Sequence, residues 1–150
     1  NDCLFKIKQQ FYIYYIIKLK IVKILHIEDN ENISEPIGMF LESSGHEYET
    51  TTDGKNGLQL IRKNGYDVVL LDLAMPNFSG RDVISALESD GSLGKEKIVI
   101  LTASVLTGEE MKELREMGVH SSLEKPIIHS DLLAKLKLIE TDHTVVTNIG

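Results

Sequence analysis

Cysteine is nearly absent: Cys3 is the only one in 150 residues. No internal disulfide can form, which fits a reducing compartment. Cys3 has no His or Asp arrangement around it that would activate a thiol, so it is not a candidate nucleophile. Long apolar runs are also missing. The most apolar stretch, FYIYYII at 11–17, is followed by Lys18, Lys20 and Lys23 and falls well short of the ~20 residues a membrane span needs. No A-x-A-like cleavage site follows it, which argues against a signal peptide. Basic charge is in deficit: 16 Lys and Arg against 23 Asp and Glu leave −7, the wrong sign for coating a nucleic acid. No GxxxxGK[ST] phosphate loop occurs, and Gly54, Gly57 and Gly65 do not form one. His46, His120, His129 and His143 show no metal-ligand spacing.

What remains is an ordinary globular composition, 42% hydrophobic and 26% charged, on a chain long enough for one domain with a real core. The charge is uneven. Residues 1–23 carry five lysines and one aspartate, +4, so the rest of the chain carries −11. Three readings are open for the basic leader, residues 1–20: an element packed on the domain, an interaction arm, or residues upstream of the natural start. The chain begins with Asn rather than Met, and the last reading is favoured. The division expected is leader 1–20, domain 21–139 and C-terminal tail 140–150.

Hydrophobic periodicity predicts five strand–helix pairs. IVKILHI (21–27), EYETT (47–51), DVVLLD (67–72), KIVILT (97–102) and the weaker SSLEK (121–125) read as strands. Between and after them, residues 30–45, 54–65, 81–90, 107–118 and 129–140 read as helices. Pro36 should kink the first helix or delay its start to Ser34 as N-cap. Thr107 should open the fourth helix, with Glu109 and Glu110 favourable at its positive end. Met39, Met111 and Met117 sit at core spacing, and His26 reads as a packed strand histidine. Strands alternating with helices imply a parallel sheet covered on both faces, with right-handed crossovers.

In such a sheet, ligands bind beyond the carboxyl ends of the strands. Strand one ends in Glu28-Asp29, strand three in Asp72, strand four in Thr102 and strand five in Lys125-Pro126; strand two ends in the unremarkable Thr51-Thr52. Three carboxylates, a hydroxyl and an ammonium thus meet on one edge. Clustered carboxylates repel one another and ask for a cation, and all-oxygen ligands suit Mg2+. Such a metal offsets the charge of a phosphoryl group. An ionised carboxylate can be the nucleophile, forming an acyl phosphate without a general base. Lys125 would hold one phosphoryl oxygen and Thr102 would donate to another.

The stretches ILHIEDN, VVLLDLAMPNFSG, ILTAS and LEKP, with Asp29, Asp72, Thr102 and Lys125 at intervals of 43, 30 and 23 residues, resemble the response-regulator receiver domains of two-component signal transduction, the CheY-like superfamily. The resemblance covers about residues 21–139. It implies a flavodoxin-like, doubly wound α/β fold with five parallel strands in the order 2-1-3-4-5. It further implies that Asp72 is the phosphoacceptor and that Mg2+ is held by Glu28, Asp29, Asp72 and the main-chain carbonyl of Ala74. Asp29 would be the direct acidic ligand and Glu28 would act through water. Thr102 matches the switch hydroxyl, Lys125 the family lysine, and Lys125-Pro126 a cis bond. The domain would be a signalling switch, catalysing only its own phosphorylation and dephosphorylation. Its implied partners are a histidine kinase or histidine phosphotransfer protein and a downstream protein target. A cytoplasmic location is expected, without membrane insertion or direct nucleic-acid binding; a homodimer is left open.

Three departures stand out. Ser122 occupies the position three before the lysine where the family usually has an aromatic, Glu124 replaces an apolar residue, and Ile127 follows Pro126 where Phe is common. They leave the acid set intact and alter the surface usually used for output. Other chemistries fit less well. An Asp-nucleophile phosphatase of the haloacid-dehalogenase type wants a second Asp at position 74, which is Ala. A flavin carrier wants a Ser/Thr/Gly-rich loop after strand one, where EDNENIS is acidic. A phosphate-independent interaction module of the same fold is the remaining alternative. The cognate kinase, the output and whether further domains accompany this one are not written in the residues.

Overall fold

The structure, a computed structural model, describes residues 4, 6–10 and 21–146. The leader's 11–17 stretch, Cys3 and residues 147–150 lie outside the described residues. From residue 21 onward the elements are β1 (Lys23–Ile27), α1 (Glu31–Ser43), β2 (Glu47–Thr51), α2 (Gly54–Asn64), β3 (Val68–Asp72), α3 (Gly80–Ser89), β4 (Lys97–Thr102), α4 (Gly108–Met117), β5 (Ser121–Glu124) and α5 (His129–Val146). The sheet is five-stranded in the order β2-β1-β3-β4-β5. Every pairing is parallel.

Alternation along the strands divides the core between the two faces. Leu25 and Ile27, Val69 and Leu71, Ile98 and Ile100 pack with Leu58 and Ile61 of α2, Val83, Ile84 and Leu87 of α3 and Leu114 of α4. Ile24, Val68 and Leu70, Val99 and Leu101 pack with Ile37 and Leu41 of α1 and Leu132, Leu136 and Ile139 of α5. β3 lies between, and all five of its residues are buried. That explains its unbroken apolar run, as expected of a strand covered on both sides.

Local chemistry sets the helix starts. Thr107 caps α4 and exchanges hydrogen bonds with Glu110, a capping box. Ser79 and Asp82 make the same arrangement at α3. α1 differs from expectation: it starts at Glu31 with Asn30 as N-cap, and Pro36 lies inside it. The proline deprives only the carbonyl of Asn32, four residues earlier, of its partner. Asn32 is exposed, so water can serve that carbonyl. Met39 is a second correction: it is 73% exposed. The buried stripe of α1 is Ser34, Ile37, Gly38 and Leu41, and Met39 falls off that face, whereas Met111 and Met117 pack against the core. The last helix runs on to Val146 instead of ending at residue 140.

Candidate functional site

The chain order of the strands reverses direction around β1, which has β2 on one side and β3 on the other. Beyond the carboxyl ends at such a point lies the crevice where open α/β sheets bind ligands. Asp72, the last residue of β3, is 4% exposed. Its Oδ1 accepts the amide of Ala74 at 3.0 Å, and its Oδ2 lies 3.2 Å from Lys125 Nζ. The chain then turns away through Pro76 and Asn77, which has φ 65°. It re-enters the fold at Gly80, where a Cβ would lie 2.2 Å from the carbonyl oxygen of Asp72. Only glycine lets α3 start this close to the strand end.

Glu28 extends β1 by one residue and is 1% exposed. Its amide donates to the carbonyl of Thr51 at 3.0 Å. Lys125 Nζ donates to Oε2 at 2.6 Å, and the amide of Asn30 donates to Oε1 at 3.2 Å. Asp29, next along, is exposed. One oxygen from each of Glu28, Asp29 and Asp72 lies within 4.8 Å of the other two. Among the described residues this is the one group of acidic, His or Cys ligands close enough to share a metal ion.

The electrostatics follow from burial and imbalance. Burial pushes the Glu28 carboxyl above its usual range; the hydrogen bond from Lys125 pulls it down, and the charge of Asp72 adds to the rise. For Lys125, burial opposes the charge, but the hydrogen bond and charge of Glu28, with those of Asp72, hold it above its ordinary value. One ammonium therefore faces three carboxylates. The donor set is all oxygen and net negative, which fits a hard divalent cation.

Thr102 is nearly buried, at 8% exposure. Its hydroxyl donates to the carbonyl of Ser104 at 2.9 Å and accepts the amide of Ser104 at 3.2 Å. The amide of Lys125 donates to the carbonyl of Thr102 at 2.8 Å, tying the ends of β4 and β5 together. The Lys125-Pro126 bond is cis.

Sequence reasoning passed over two contributors. Thr51 anchors Glu28 through its carbonyl and accepts Asn56 Nδ2 at 2.9 Å through its hydroxyl. Nothing in its residue type signals that; it emerges only from the register of β1 against β2. Tyr48 is the other. His26 is fully buried, as a packed strand histidine should be, but its Nδ1 lies 2.8 Å from the Tyr48 hydroxyl. Burial first, and then the charge of Lys125, hold this imidazole down at about 4, so it is neutral at physiological pH.

Fold and site together define a flavodoxin-like α/β domain whose cluster of three carboxylates, close enough to share a metal ion, sits at the carboxyl edge of a parallel sheet. The family model for the response regulator receiver domain matches residues 24–137, and the chain belongs to that family. The transcriptional regulatory protein DltR of Streptococcus agalactiae serotype III (strain NEM316) is 32% identical over 117 residues, 78% of this chain and 51% of that protein. The response regulator ArlR of Staphylococcus saprophyticus is 31% identical over 115 residues, 77% of this chain and 50% of that protein. This chain thus spans about half the length of the curated relatives it matches. Among solved structures, the Vibrio cholerae chemotaxis protein CheY4 aligns with a TM-score of 0.70 at 27% identity, covering 80% of this chain and 99% of that one. The receiver domain of the Francisella response regulator 1452 aligns with a TM-score of 0.72 at 26% identity, covering 81% and 98%. No helix among the described residues is long and apolar enough to cross a membrane.

Proposed function

We propose that this receiver takes a phosphoryl group onto Asp72 from a phosphohistidine of a histidine kinase or phosphotransfer protein, and signals to a downstream protein by changing conformation. The observation that carries the reading is the placement of Asp72: a carboxylate fixed by the amide of Ala74, facing Lys125, and within ligand distance of Glu28 and Asp29. Glu28, Asp29, Asp72 and the carbonyl of Ala74 would hold Mg2+. When bound, the metal offsets the negative charge gathered by the carboxylates and the incoming phosphoryl group.

The chain's own residues do the rest. An oxygen of Asp72 attacks phosphorus, the bond to the donor's imidazole nitrogen breaks, and the imidazole leaves with the electron pair and is reprotonated by solvent. Lys125, already 3.2 Å from Asp72, steadies a phosphoryl oxygen as a point charge. Thr102 releases Ser104 and turns its hydroxyl to another phosphoryl oxygen. The domain then moves between two populations, catalysing no reaction beyond its own phosphorylation and dephosphorylation. An interaction module that ignores phosphate would have no use for a buried Glu28 and Asp72 held around one lysine, and that arrangement favours the phosphoacceptor.

Intact-protein mass after acetyl phosphate with Mg2+ tests the proposal. One added phosphoryl group is expected for the unaltered chain and none for Asp72→Asn. Equal labelling of both would place the acceptor elsewhere.

A further inference from the structure

We infer that His26, Tyr48 and Gly38 form a tether that fixes the first turn of α1 against the β1–β2 edge, and that His26 and Tyr48 are thereby positioning residues for the cation site. The inference rests on the divalent-cation reading of that site.

α1 starts two residues after Asp29 and carries Pro36 in its second turn. A proline has no amide hydrogen, so the carbonyl of Asn32 lacks the partner it would have in an unbroken helix. The turn that follows Asp29 is therefore short of one rung. It is held instead from outside. The Asn30 side chain accepts the amide of Asn32 at 3.0 Å. One turn on, the Tyr48 hydroxyl donates to the carbonyl of Ser34 at 2.8 Å.

That hydroxyl has a single proton, and it is committed to the hydrogen bond that the Ser34 carbonyl accepts. The tyrosine oxygen must then accept from His26, 2.8 Å away. The imidazole proton is accordingly on Nδ1, and Nε2 is left bare. Nε2 is buried with no hydrogen-bond partner among the described residues. An aliphatic side chain would avoid that orphan. What the histidine supplies in return is a donor that aims the tyrosine O–H at α1. Gly38 is the third part. A Cβ there would lie 2.5 Å from Cε1 of Tyr48, so the ring crosses the helix at a place that only glycine leaves open. A histidine among aliphatics and a glycine in mid-helix are each unfavourable alone, whereas the tyrosine suits its strand. Together they make one contact.

The contact reaches Asp29 through the helix start. The amides of Ile33 and Ser34 both donate to the carbonyl of Asn30, at 2.9 and 3.1 Å. Fixing Ser34 fixes Asn30, and Asp29 is then held between Asn30 and the anchored Glu28. Groups that orient metal ligands from behind are worth about 10–100-fold in affinity, and one acting through a helix turn belongs at about tenfold.

Two readouts separate this inference from the reading beneath it: amide hydrogen exchange of residues 30–34 without metal, and calorimetric Mg2+ titration. Tyr48→Phe keeps the ring against Gly38 and removes only the hydroxyl. His26→Leu removes the donor, and His26→Asn puts an amide N–H near the place of Nδ1. Tyr48→Phe and His26→Leu should speed exchange at 30–34 and weaken Mg2+ binding by about tenfold. The double variant should be no weaker than either, and His26→Asn should recover most of the loss. If the unaltered chain binds Mg2+ and Tyr48→Phe binds it equally well, or His26→Asn is as weak as His26→Leu, the tether is not a positioning device. If the variants loosen residues 30–34 but the unaltered chain binds no Mg2+, the cation reading falls and the positioning role falls with it.

Discussion

Lys125 shows at the scale of one residue how this site balances charge. Its ammonium bridges Glu28 at 2.6 Å and Asp72 at 3.2 Å, and its side chain is only 16% exposed. Removing one partner of a buried pair leaves the other charges uncompensated. Lys125→Ala should therefore lower stability by about 2 kcal/mol, below the 3–5 typical of fully buried pairs. The deficit should shrink when Mg2+ replaces the missing charge, and Mg2+ should bind more tightly than to the unaltered chain. Thermal unfolding with and without Mg2+ reads both effects; an equal deficit in the two conditions would mean that the lysine and the metal do not share a place. A second residue, His46, sets a pH dependence. Its Nδ1 accepts the amide of Val22 at 3.3 Å, and burial holds its pKa below the usual value, with Glu140 pulling it back up. The unfolded chain takes up this proton first as pH falls. The stability contributed by neutral His46 is therefore full above about 6.5, the unfolded imidazole value, and is lost as pH falls toward the folded value. His46→Asn keeps an acceptor for Val22 without the titration. Its urea midpoint should fall less steeply between about pH 7.5 and 5.5, and parallel slopes would remove His46 from the account.

Elements were legible where one physical signal dominated. The continuous apolar run of β3 and the Thr107 start of α4 could be read directly, because burial on two faces and helix capping each leave a local mark. α1 was harder. Pro36 argued for a late start, and what overrides it, the Asn30 cap and the Tyr48 contact, depends on a residue fourteen positions from Ser34. The exposure of Met39, by contrast, was written in the spacing and missed: at about 100° per residue it lies about 200° from both Ile37 and Leu41, on the opposite side of α1 from the face they bury. The α4 capping box gives a prediction at this scale. Thr107→Ala removes the acceptor for the Glu110 amide, at 3.2 Å, and should cost about 1 kcal/mol. The Glu110 carboxyl is held below its usual range by hydrogen bonds from the Thr107 backbone and side chain, so its contribution is present above the unfolded glutamate pKa and fades as pH falls through the folded one. Denaturant unfolding of Thr107→Ala at neutral pH and in acid should show the gap to the unaltered chain narrowing in acid; a constant gap would argue against the box.

Across the whole molecule, the site was more legible than its state. The five strand ends and their acids follow from topology, so the strand–helix alternation alone puts Glu28, Asp29, Asp72, Thr102 and Lys125 on one edge. Which partner each side chain holds could not be read, because that depends on distances of a few tenths of an ångström. Thr102 is the case that matters for signalling. Its hydroxyl is engaged twice with Ser104, so giving its proton to a phosphoryl group on Asp72 must break a closed turn. The freed segment leads directly to Val105, 74% exposed, and to Leu106, which packs against the α2–α3–α4 core together with Met111 and Leu114. Ser122 offers no comparable lever, since a small polar side chain has little apolar area to bury or expose. A displacement of Leu106 would instead shift α4 on a core that tolerates discrete rearrangement better than gradual strain. With beryllofluoride and Mg2+ as the phosphoryl mimic, amide chemical shifts of residues 103–114 should therefore change more than those of 120–124. Leu106→Ala should reduce the α4 response while leaving Asp72 phosphorylation by acetyl phosphate intact. If the largest changes outside the Asp72 loop centre on Ser122, or if Leu106→Ala leaves the α4 shifts as they are, the signal leaves this domain by another route.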